Sequence, residues 1–183
     1  MTSLTNKIKE KALEIGFHKI GITRADSLTH EGEHLLEWLN SNYHADMKWL
    51  EREPEKRTNP KLIFPEAKSI IAVALNYYTS HQHEPASNKG KVSRYAWGDD
   101  YHDVMQGKLR ELLVWIKNEI PEAEGKICCD IQPIMDKAWA VRAGLGWIGK
   151  PTNLITKDFG SWVFLGEILL NIEIEYNDFI ESD

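Results

Sequence analysis

Cysteine is scarce in this 183-residue chain: there are two, Cys128 and Cys129, and they are adjacent. Neighbours on a strand point to opposite faces, so the pair is expected neither to bond each other nor to share a metal. An iron–sulfur cluster requires about four thiolates at motif spacing, more than these two supply. No apolar run approaches the roughly 20 residues that span a bilayer. The amino-terminal stretch MTSLTNKIKEKALEIGF is charged and helix-like, without the apolar centre of a signal peptide. A cytoplasmic location with no membrane partner is the expectation. Positive charge is also short: 22 Lys and Arg face 28 Asp and Glu, a net −6. That argues against a protein gripping nucleic acid over its whole surface and does not exclude a local basic patch. Hydrophobic residues make up 42% and charged residues 27%, the balance of one folded domain of ordinary size. Tryptophan is abundant instead. Trp97, Trp139, Trp147 and Trp162 lie in the most motif-like stretches, either as flat pocket walls or as core filler.

Periodicity outlines the elements. Leu4, Ile8, Ala12 and Ile15 share one helical face, and Gly16 follows as a C-cap. His18–Thr23 reads as a short strand. A second helix spans 30–42 with Leu35, Leu36 and Leu39 inward, and the charge-rich segment 47–60 reads as a helix end followed by a surface loop. Ser69–Leu75 is a nearly continuous β-branched run, expected to be a strand buried on both faces. Residues 79–92 are polar and loop-like. A long amphipathic helix runs from 99 to 119 on Val104, Leu109, Leu112, Leu113 and Ile116. Residues 126–131 form a strand and 137–143 a short helix. Strands at 153–156 and 162–170 are expected to pair as a hairpin around Asp158-Phe159-Gly160. The pattern favours an α+β fold with a mixed sheet flanked by helices.

The strongest local signal is R-A-G-L-G-W-I-G-K, Arg142 to Lys150. It ends like a phosphate loop, but Pro151 stands where the magnesium-binding hydroxyl belongs and removes a backbone donor. It also lacks the GxGxxG order of a dinucleotide turn.

Arg57-Thr-Asn-Pro60, the strand at 70–75, Ser93-R-Y-A-W-G-D-D-Tyr101-His102, Asp130-Ile-Gln-Pro and the block from Arg142 to Ile155 occur in order over nearly the whole chain. This combination resembles the amino-terminal domain of epoxyqueuosine reductases, which act in the last step of queuosine synthesis in tRNA. The resemblance implies an α+β domain similar to cobalamin-processing and nitroreductase-like proteins, spanning 1–183 as a single cobalamin-binding unit. It also implies an oxidoreductase that takes tRNA carrying epoxyqueuosine as substrate. In the family, a carboxy-terminal ferredoxin-like part holds two [4Fe–4S] clusters; its ligands are not among these residues. An electron-donor domain or protein is therefore an implied partner, and the chain alone is expected to be inactive with a physiological donor.

Carried over residue by residue, the family's acid falls on Asp130. A carboxylic acid suits the task, because breaking a C–O bond leaves an alkoxide that needs a proton. Asp136 is the runner-up, although a charge at a helix start explains it equally well. For cobalamin the resemblance points to Arg57, Trp97, Asp130, Lys150 and Asn153, with Tyr101 and His102 beside them. Pro151 replaces the asparagine usual after this lysine. No metal ligand is expected: His102, at a helix start, reads as a capping residue rather than a cobalt ligand. Two other functions fit the same residues, a nonenzymatic cobalamin-binding module and a flavin-dependent nitroreductase-like enzyme.

Overall fold

The computed structural model describes residues 3–84 and 88–177. Its centre is a strand with no polar face. β2, Ser69–Asn76, is buried along its first six residues because both sides are covered by other layers. It pairs with β1, Lys19–Arg24, on one side and with β6, Val163–Leu170, on the other, and β3, Gly125–Cys128, closes the far edge of β6. The order is β1-β2-β6-β3, and every ladder is antiparallel. The α+β class holds, but this sheet is antiparallel throughout rather than mixed.

On one face lie α1, Leu4–Ile15, and α4, Tyr101–Glu119. Ile8 and Ala12 of α1 and Met105, Leu109, Leu112 and Ile116 of α4 pack on Ile71, Val73, Ile168 and Leu170. Ser3 caps α1 by accepting from the Asn6 amide, and Gly16 ends it as expected. On the other face α5, Asp136–Arg142, lies on Ile70, Ala72, Ala74 and Leu169 through Trp139, Ala140 and Ala143. The approach is close. A Cβ added at Gly21 of β1 would lie 2.0 Å from the Ala143 carbonyl oxygen, so only glycine lets helix and strand backbones meet there. Cys128 packs on the α5 side of the sheet and Cys129 on the α1–α4 side, as strand alternation requires.

Three expectations give way. α2, Thr29–Asn40, forms where the pattern places it but buries no residue, and Leu36 is exposed. It lies over α3, Pro54–Thr58, instead of entering the core. That short helix and a 3-10 turn at Lys48–Glu51 organise the charge-rich segment expected to be loop. The strand after Asn153 is only β5, Leu154–Ile155, and it pairs with β4, Trp147–Ile148, not with β6. Gly146 explains the choice: a side chain there would stand 2.1 Å from the Ile155 carbonyl oxygen, so the glycine-rich turn folds onto β5 directly. The turn at 158–160 survives as a single bridge between Thr156 and Gly160.

Candidate active site

The carboxyl-terminal ends of β2 and β3 and the start of β6 meet at one end of the sheet, and the site is built there. β3 ends at Cys128, and Asp130 then takes a left-handed backbone conformation, φ 56°. This places its side chain outward instead of along the ladder. Aspartate is among the few residues that tolerate that conformation. The bend is pinned locally: the Ile131 amide donates to the Cys129 carbonyl at 2.7 Å, and the Ile134 amide donates to the Gln132 carbonyl at 2.8 Å. The loop is tied to α3 by the Met135 amide, which donates to the Arg57 carbonyl at 3.2 Å.

Two residues of the first turn of α4 hold the Asp130 carboxylate. The Tyr101 hydroxyl donates to Asp130 Oδ2, and His102 Nε2 lies 3.5 Å from the same oxygen. Burial first, and then the neighbouring Asp130 charge, push the Tyr101 hydroxyl well above its ordinary value, so it remains a donor. His102 is oriented from its other side by Asp100, whose Oδ1 lies 2.8 Å from Nδ1 and also accepts from the His102 backbone amide at 2.9 Å. The ring's hydrogen bond with Asp100 raises the histidine pKa, and the backbone amide bond first, then the ring contact, lowers that of Asp100. The Tyr101 ring in turn stacks on Phe164 of β6, with centroids 4.4 Å apart and planes 6° from parallel.

A cavity of about 310 Å³ opens at this point, lined by Asp130, Asp136, Tyr77, Tyr95, Tyr101 and Phe164 among others. A second, of about 610 Å³, lies on the far side of Asp136 and Lys137, with Arg57, Trp49, Met135, Val141 and Ile148 in its wall. Both contain apolar and aromatic surface with a few polar groups, the usual character of a site for a large organic ligand. Among the described residues Arg57 Nε and Asp136 Oδ1 are buried there without a hydrogen-bond partner, two polar atoms that a ligand could satisfy. Such a lining fits a broad, largely apolar ring with amides on its rim.

The structure gathers some expected site residues and separates others. Tyr101, His102 and Asp130 form one cluster, and Arg57 lines the neighbouring cavity. Asn153 Oδ1 accepts from Lys137 Nζ at 3.1 Å, beside the second cavity. Lys150 is exposed on the glycine-rich turn and lines neither. Trp97 stands apart in a small polar recess with His83, Lys91 and Arg94, its Nε1 donating to the Val92 carbonyl at 2.8 Å. From that segment it is Tyr95 that reaches the Asp130 cavity. Tyr77, Tyr95, Phe164 and Lys137 are the residues that sequence reasoning missed. The Tyr77-Tyr78 pair directly after a buried strand was the available signal.

Beneath Asp136 lies Glu167, fully buried on β6. Desolvation first, then the Asp136 charge, raise its pKa well above the ordinary 4.5. A carboxyl whose pKa is raised on folding contributes its stability below the unfolded value, and that contribution is lost as pH rises towards the folded value. Urea unfolding of Glu167→Gln and the parent from about pH 5 to about pH 8 is therefore expected to shift the stability difference towards the variant as pH rises. A pH-independent difference would show that Glu167 is not protonated in the fold.

The family model described as Epoxyqueuosine reductase QueG, DUF1730, matches residues 57–131, which run from the Arg57 helix to the Asp130 loop. An epoxyqueuosine reductase from Atelocyanobacterium thalassa is 47% identical over 95% of this chain and 56% of its own length. The chain belongs to the epoxyqueuosine reductase family. It spans about half the length of the curated relatives it matches. Among solved structures, the fold matches an epoxyqueuosine reductase bound to an epoxyqueuosine-modified tRNA-Tyr stem loop, with TM-score 0.89 and 36% identity over 97% of this chain and 48% of that one. It also matches the Bacillus subtilis enzyme, captured with its catalytic aspartate loop swung out of the active site, with TM-score 0.88 and 35% identity over 98% of this chain and 48% of that one. A reductive dehalogenase studied for B12-dependent dehalogenation shares the fold alone, with TM-score 0.52 and 14% identity over 97% of this chain and 21% of that one. Among the described residues no helix is long and apolar enough to cross a membrane.

Proposed function

We propose that this chain is the cobalamin-binding, substrate-facing part of an epoxyqueuosine reductase, reducing epoxyqueuosine in tRNA to queuosine. The observation that carries the reading is the Asp130 carboxylate, presented by a left-handed bend and held by Tyr101 and His102 at the mouth of an aromatic cavity. The relative bound to a modified stem loop supports tRNA as the substrate, and the aspartate loop of the Bacillus subtilis enzyme supports the loop of Asp130 as the acid-bearing element.

Each residue has a role in this scheme. Asp130 donates a proton to the oxygen leaving carbon, and Tyr101 and His102 hold it in place and supply hydrogen bonds to the charge it leaves behind. The rings of Tyr77, Tyr95 and Phe164 exclude water and offer flat faces to a base. Arg57 and Asn153 would hold amide groups on the rim of cobalamin, whereas Lys150 and Trp97, expected to join them, lie outside both cavities. When bound, cobalamin supplies a metal centre through which electrons reach the substrate. The electrons would come from an electron-donor domain or partner, since the two cysteine thiols face opposite sides of the sheet and are fewer than the four that a cluster takes.

Titration with hydroxocobalamin, followed by calorimetry and absorption, is expected to give one saturable site. A folded sample giving neither heat nor spectral change at high micromolar ligand would overturn the reading.

A further inference from the structure

Glu167 sits in the middle of β6, opposite Ala72 of β2 and Cys128 of β3, where the sheet is covered on both faces. Its neighbours on the same face are Leu165 and Leu169, so packing gives no reason for a carboxyl at this position. It has no exposure, and neither oxygen has a hydrogen-bond partner among the described residues. A charge so placed is costly unless it is paired. The group it faces is another acid: Asp136, the first residue of α5, also with a buried, unpartnered Oδ1. A helix start accounts for Asp136 but not for an acid beneath it. Asp136 also lines both cavities and shares the smaller one with Asp130.

We propose that Asp136 and Glu167 are a carboxyl–carboxylate pair sharing one proton, and that this pair delivers the second proton of the reaction into the Asp130 cavity. The inference rests on the function proposed above. Removing an epoxide oxygen breaks two C–O bonds, forms one C=C bond and releases water, so it consumes two electrons and two protons. A low-potential one-electron donor supplies the electrons in two steps. Asp130 carries one proton. The other is the shared proton, which Glu167 passes to Asp136 as Asp136 delivers it into the cavity. The pair is then left as two adjacent buried carboxylates, a state that like charge and desolvation disfavour, and water in the open cavity returns the proton. Asp136 contacts the cavity, while Glu167 acts through it as a positioning residue. The direction of both pKa values agrees: burial, the largest cause, raises Asp136 and Glu167 alike, and the hydrogen bond from Glu167 only partly offsets it at Asp136. The other ionisable groups coupled to this region are Lys126, Cys128, Cys129 and Asp100.

The test begins without turnover. In a chain labelled with carbon-13 at its carboxyl groups, Glu167 is expected to remain protonated at pH 7, and Glu167→Leu, which removes the shared-proton hydrogen bond that lowers the Asp136 pKa, to move the Asp136 titration to higher pH. An ionised Glu167 at pH 7, or an Asp136 titration unmoved by the variant, overturns the pair. The second arm measures reduction of an epoxyqueuosine stem loop by the cobalamin-loaded chain with a strong chemical reductant. Glu167→Gln and Asp136→Asn are each expected to lose about 10²-fold, the lower end of general acid catalysis, with a changed pH profile, and Glu167→Gln, which touches neither cavity, to keep the parental cobalamin affinity. A loss with the parental pH profile would mean a packing role and overturn the relay. If the parent binds cobalamin and titrates as expected but never turns over, the reaction assignment fails, and the proton-supply role fails with it. If the parent turns over while Glu167 is ionised at pH 7, the pair alone fails.

Discussion

Asp130→Asn is expected to keep cobalamin binding and to lose most epoxide reduction. In the chain supplied with an electron-transfer partner, the deficit should fall at about 10²–10⁴-fold, the range for a positioned general acid. Asparagine accepts the same hydrogen bond from Tyr101 and tolerates a left-handed backbone, so the bend at φ 56° survives. What it cannot do is release an acidic proton to the leaving oxygen. The loss then reports chemistry and not geometry, whereas Asp130→Ala would mix the two. Stopped-flow reduction of a modified stem loop, with cobalamin affinity measured in parallel, separates the outcomes. Turnover within a few-fold of the parent would move the first proton to water, Tyr101 or Asp136.

The largest expected effect on stability comes from Trp139→Ala. Trp139 has no exposure and packs with Ile70, Leu169, Cys128 and Ile134, pinning α5 to the sheet. Truncating a buried tryptophan costs about 3–5 kcal/mol through lost burial and the cavity left behind. For a domain of this length that corresponds to roughly 6–20 °C in Tm. Urea unfolding should show a lower midpoint with an unchanged slope. A loss below about 1 kcal/mol, typical of surface substitutions or of sites that collapse fully, would mean that α5 is held mainly by its alanines. Because α5 begins at Asp136, the variant should also weaken cobalamin binding.

How much of this was legible in the sequence depends on the length of each element. α1 and α4 have several turns of periodic apolar residues, and β2 has an unbroken β-branched run, so each announces itself. α2 shows the same spacing, yet it lies over another helix and buries no residue, a tertiary choice that spacing does not encode. β4 and β5 are two residues each, too short for any period. Their pairing is decided by backbone contact at Gly146, and the expected hairpin between 153–156 and 162–170 fails for that reason. Within the site, Tyr101 and Asp130 line one cavity, Arg57 lines the other, and His102 and Asn153 stand beside them. The displacement of Trp97 depends on the path of an aperiodic loop. Glu167 was invisible because one acid among apolar residues on a strand carries no pattern of its own.

The two faces of the sheet have unequal latitude for change. Over α1 and α4 the contacts include the unbranched or γ-branched side chains of Met105, Leu109 and Leu112, so a lost methyl nearby can be offset by a neighbour's rotamer. Under α5 the spacing is set by Gly21, Ala72, Ala74, Ala140 and Ala143, which have no rotamers to adjust. An added methyl at any of these five positions has to be met by moving the helix, and its first residue moves with it. Sequence drift in this lineage should therefore accumulate on the α1–α4 side, while the alanine seat changes only together with the chemistry at the far end of the helix.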